Sequence, residues 1–173
     1  MAPEVTRDSL IADLLAAWRI NGSVNQYLIN HLNDEAWTAR PPGGKGRTIA
    51  AVFAHMHNVR LMWLKAAAKA GALPEKAESK ELNRDEAGRA LAESAGAIAK
   101  LLGQGLASGR ITGFPPSAAA FLGYLLAHDA HHRGQIAMLA RQVGRPLPPQ
   151  AGYGLWEWNT RAKDGTATTT KSA

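Results

Sequence analysis

Helical periodicity runs through nearly the whole chain, and no other pattern competes with it. Between Arg7 and His31, apolar residues recur three and four apart (Leu10, Ile11, Leu14, Leu15, Trp18, Val24, Tyr27, Leu28), as on one face of a helix. No alternating strand pattern and no internal repeat is present. Asn21-Gly22 interrupts this first segment and reads as a kink rather than a break. Arg40-Pro-Pro-Gly-Gly-Lys-Gly-Arg47 is a loop, because it lacks packing side chains and backbone donors. Thr48 then caps a second helix, Ile49 to about Ala70, which Gly71 and Pro74 stop. Asn83-Arg-Asp-Glu86 has capping-box spacing and opens a third helix to about Leu102. Gly103, Gly105, Gly109, Gly113 and Pro115-Pro116 read as the next connection. Ser117 caps a fourth helix, to about Val143, ended by Gly144 and Pro146.

Four such helices joined by short-to-medium loops predict an all-α four-helix bundle. With 173 residues the chain makes one domain, expected over residues 1–160. Tyr153 to Trp158 reads as a short docking segment, with Trp156 and Trp158 either folding back over the site or a dimer seam or serving as plain packing, and 161–173 as a flexible tail. The absence of cysteine removes disulfides, cysteine-ligated zinc, iron–sulfur clusters and a thiol nucleophile, and fits the cytoplasm. Glu4, Asp8 and Asp13 are unlike a signal peptide, and the near-apolar stretch Ser117 to Ala127 is too short to span a bilayer. The net charge of +6 raises nucleic acid as a partner. Its basic residues are scattered, however, with no recognition helix, so neither nucleic acid nor membrane is expected.

Histidine is the one unusual titratable resource. The fourth helix carries His128-Asp-Ala-His131-His132 and the second carries His55-Met-His57. His128 and His132 are four apart, so they project from one face within reach of a single ion. At about 100° per residue, His132 lies within roughly 20° of the apolar direction set by Phe121, Leu125, Ile136, Leu139 and Val143, and His128 within about 60°. On the second helix His55 falls about 80° from the stripe of Ile49, Val52, Met56, Val59 and Trp63. His57 and His131 each fall about 120° away, on the solvent side. His55, His128 and His132 are therefore placed to meet between two helices. Three imidazoles with open coordination positions suit a divalent ion such as Zn, Ni, Fe or Mn. The alternative is three partly buried histidines, each satisfied by a hydrogen bond. The glycines of Gly43-Gly-Lys45-Gly-Arg47 lack phosphate-loop spacing and a preceding strand.

Thr48-Ile-Ala-Ala-Val-Phe-Ala-His55-Met-His-Asn-Val-Arg60 resembles the second-helix motif of the DinB/YfiT-like superfamily. His128-Asp-Ala-His-His132-Arg133-Gly134-Gln135-Ile136 resembles its last-helix signature, HxxxH followed by Arg-Gly-Gln. The resemblance covers about residues 7 to 150. It implies a four-helix bundle, often a homodimer, whose divalent metal is held by His55, His128 and His132.

Three residues beside the trio are candidates to orient a ligand or touch substrate. Gln135 sits one turn beyond His132, Asp129 reads as a solvated neighbour of Arg133, and Arg133 reads as a salt-bridge partner or anion contact. Gly134, in mid-helix, is expected to permit close helix packing. The resemblance implies a metal-dependent enzyme, a thiol-dependent transferase, acting on a small-molecule substrate with a low-molecular-weight thiol. Hydrolysis explains the residues equally well. The other reading is a non-catalytic, stress-associated bundle that binds metal or ligand.

Overall fold

In the computed structural model, residues 5–67, 73–78 and 82–167 are described. Among these residues seven helices follow one another: α1 (Arg7–His31), α2 (Asp34–Trp37), α3 (Ile49–Ala67), α4 (Arg84–Ser108), α5 (Ala118–Gln142), α6 (Pro149–Gly154) and α7 (Trp158–Ala167). No strand occurs among the described residues. The four long helices are those expected; three start at the expected caps, and α1 starts at Thr6, which was not predicted as one. Thr48 Oγ1 accepts from Ala51 N and Ser117 Oγ from Ala120 N. Asn83 and Glu86 each accept from the other's backbone N–H, a complete capping box. The expected end of the second helix near Ala70, and its Gly71 stop, lie outside the described residues. No described helix is long and apolar enough to cross a membrane.

Two expected boundaries move. The third helix does not stop at Leu102 but continues through Gly103 and Gly105 to Ser108. Packing explains the difference, since a Cβ on Gly105 would lie 2.1 Å from Ile111 Cδ1. That glycine therefore lets Ile111 close over the helix end, and the turn itself is made by Gly109 at φ 80°. The segment expected as a tail begins as helix α7, whose Arg161 is only 7% exposed. Its guanidinium lies 4.0 Å over the Tyr27 ring of α1 and pairs with Asp164. A tail reading drawn from small polar composition missed this anchor; residues 168–173 lie outside the described set. The chain before α7 docks on the same tyrosine, because a Cβ on Gly154 would fall 2.1 Å from Tyr27 Oη. Trp156 does not fold inward, being 81% exposed.

α1 and α3 each pack against both α4 and α5, and α4 also touches α5. Their interior divides in two. One apolar cluster joins Leu28, Ile29, Phe53, Met56, Leu91, Ile136 and Ala140, and the other joins Trp18, Leu64, Ile98, Leu102, Phe121 and Leu125. Between them in sequence on every long helix sit buried polar residues: Asn21 and Asn25 on α1, Arg60 on α3, Ser94 on α4, and Asp129 and His132 on α5.

Candidate metal centre

That polar layer holds the histidines. His55 on α3 and His128 and His132 on α5 bring one ring nitrogen each within 4.8 Å of the others. His128 Nε2 and His132 Nε2 are 3.2 Å apart. Two nitrogens each roughly 2.0–2.1 Å from a tetrahedral ion lie about 3.3 Å apart, so this spacing fits one.

Two of the rings, His132 and His128, have a polar neighbour on the Nδ1 side. Gln135 Oε1 lies 2.8 Å from His132 Nδ1 and accepts its N–H, which leaves the Nε2 lone pair facing His128. His128 Nδ1 and Asp129 Oδ1 are both buried without a hydrogen-bond partner, and they lie 3.8 Å apart. At that separation they are not hydrogen-bonded, but the carboxylate stands on the Nδ1 side of His128, where a metal ligand usually has one. Burial lowers the His132 pKa to about 4; the Gln135 hydrogen bond opposes this, and the His128, His55 and His131 rings reinforce it. Burial, then the Arg47 guanidinium, then His128 also hold His55 below the ordinary value. Both imidazoles are thus neutral at pH 7, the form that ligates.

Asp129 is fully buried, not solvated. Its Oδ2 accepts from Asn21 Nδ2 at 2.6 Å, Asn25 Nδ2 at 2.8 Å and Arg60 Nη2 at 2.6 Å. Burial alone raises a carboxyl pKa, but the Arg60 charge and the asparagine amides outweigh it and hold this one well below the usual range. Arg60 spends its other Nη on Leu91 O and Ser94 Oγ. Arg133 makes no ion pair among the described residues. Its Nη1 donates instead to Asn21 Oδ1 at 2.8 Å and Asn25 Oδ1 at 2.7 Å. Carboxylate on one side and guanidinium on the other fix both amide orientations.

Two further expectations change. His57 is buried rather than solvent-facing, its Nδ1 2.7 Å from Ala90 O and its Nε2 2.8 Å from Glu75 O. α3 is covered on that side too, by α4 and the 73–78 segment, so a single-stripe reading of the helix fails there. Gly134 permits no close packing, since nothing lies within 4 Å of a Cβ built on it. His131 is exposed, as expected. Of the residues expected beside the ligands, Gln135 touches His132, Asp129 faces His128, and Arg133 reaches neither. Asn21, Asn25 and Arg60 were missed as site residues. Their signal was a break in apolar periodicity: Asn21 and Asn25 lie on the Trp18–Leu28 stripe, and Arg60 is four from both Met56 and Leu64.

An all-helical bundle with three converging imidazoles, backed by an amide and a carboxylate, defines a helical protein with a candidate three-histidine metal site. A family model of the DinB family matches residues 5–166, and the chain belongs to that family. No curated protein and no solved structure matches it.

Proposed function

We propose that this chain holds one divalent metal on His55, His128 and His132 and is a metal-dependent enzyme. Its reaction is transfer of a low-molecular-weight thiol to an electrophile, or hydrolysis. The observation that carries this reading is the convergence of three imidazoles with no fourth histidine or carboxylate joining them among the described residues. Structural zinc normally takes four protein ligands, whereas a site of three leaves a position for substrate. An ion there supplies Lewis acidity, easing loss of a proton from water or a thiol at neutral pH. The chain's own residues prepare the site. Gln135 fixes the His132 tautomer, burial keeps that ring unprotonated, and Asp129 stands behind His128. Having no cysteine, the chain must take any thiol from solution.

Elemental analysis of untagged protein, compared with the His128→Ala/His132→Ala double variant, tests the metal. About one equivalent in the first and none in the second is expected; none in either after reconstitution refutes the reading. Catalysis is tested separately, by loss of turnover in His55→Ala with the helical circular dichroism retained.

A further inference from the structure

Between the 40–48 loop and α5 lies a cavity of about 710 Å³, lined by none of the three histidines but joined to the trio through Gln135. Gln135, whose amide holds His132, forms part of its wall, with Val52, Met138 and Leu139 as apolar lining. Gly134 on the same wall adds no side chain to narrow it. Arg47 also lines this cavity. It makes no hydrogen bond or ion pair among the described residues, although its charge reaches His55.

Among the residues that line the cavity the charged side chain is Arg47. The loop supplies Arg40, Lys45 and Arg47 and no acid. On the α5 side the titratable lining residue is His131. Asp129, the carboxylate nearest the trio, is committed to Arg60 and the two asparagines. Imidazole ligands carry no negative charge to offset a divalent ion held on the trio, so that ion and Arg47 would both favour an anion.

We propose that this cavity binds the substrate by an anionic group, a carboxylate held by Arg47, while its apolar body lies over Val52, Met138 and Leu139. Arg47 is then the residue that determines specificity. A guanidinium offers a carboxylate two parallel donors, which a neutral isostere of the ligand cannot use. The inference rests on the metal reading above.

The test uses the full chain loaded with one equivalent of Co²⁺, its visible spectrum reporting stoichiometry. Thioglycolate and its uncharged amide are titrated by calorimetry into wild type, Arg47→Gln and Arg47→Lys. Wild type is expected to prefer thioglycolate by about tenfold or more, the effect of one charge-assisted contact. Arg47→Gln should reduce that preference to about threefold or less while keeping one Co²⁺, and Arg47→Lys should retain most of it. Equal affinity of the two probes in wild type, binding of neither, or an undiminished preference in Arg47→Gln overturns this inference and leaves the metal site standing. Failure of wild type to take up Co²⁺ sinks the metal reading, and this inference with it.

Discussion

Asp129→Asn is the perturbation that most directly questions the polar layer. The side chain keeps its size, yet the negative charge facing Arg60 disappears from a site where both residues are 1% exposed or less. Arg60 then keeps Leu91 O and Ser94 Oγ but loses its counter-ion. The new amide also presents two donors to a place already supplied by Asn21 and Asn25. Removing one partner of a buried ion pair costs about 3–5 kcal/mol. For a domain of this length about 1 kcal/mol moves the midpoint by about 2–4 °C, so Tm should fall by about 6–20 °C. Urea unfolding of the chelator-treated protein, followed by circular dichroism at 222 nm, gives the free energy. Adding Arg60→Met should recover about 1–3 kcal/mol relative to the sum of the single effects, since the stranded charge is gone. A loss under about 1 kcal/mol for Asp129→Asn, or additivity of the pair within about 0.5 kcal/mol, would refute the account of the layer.

Three other outcomes are expected. Gln135→Leu should weaken metal affinity by about 10–100-fold with little change in unfolding free energy, as chelator competition and urea titration would show. The metal-free protein should lose stability as pH falls from about 6.5 toward about 4. In that window the unfolded chain protonates His132 while the folded chain, at about 4, does not. The loss should be smaller in His132→Gln, and metal affinity of the folded protein should fall as pH approaches about 4, where protons begin to compete for His132. Gly105→Ala should destabilise by about 1–3 kcal/mol, because its Cβ meets Ile111, and Ile111→Ala in the same chain should relieve part of that strain in urea titrations.

Helix existence was legible because caps and apolar spacing are local. Thr48, Asn83 and Ser117 act on backbone N–H groups three residues away, and no tertiary contact is needed to read them. The trio was legible for a related reason, since His128 and His132 share one helix and His55 needs only one further element. The unread features depend on what lies opposite. His57 is buried by α4 and the 73–78 segment, which no count along α3 contains. Asp129 is buried because three partners on two other helices satisfy it, and a carboxylate near an arginine in sequence gives no hint of that. Gly105 looked like a breaker because its role is to leave room for Ile111.

A helix packed by leucines alone can slip along its axis by one turn, about 5.4 Å, and still find leucines opposite. This bundle cannot. A slip of α5 takes Asp129 away from Asn21, Asn25 and Arg60 together, and a slip of α3 takes Arg60 from Asp129, Leu91 and Ser94. His128 and His132 bracket Asp129 in sequence, and His55 lies five residues before Arg60. The register that keeps the buried charges paired therefore also sets the three imidazoles at one height. Alignment of the cluster is enforced by folding of the chain itself, before any ion arrives.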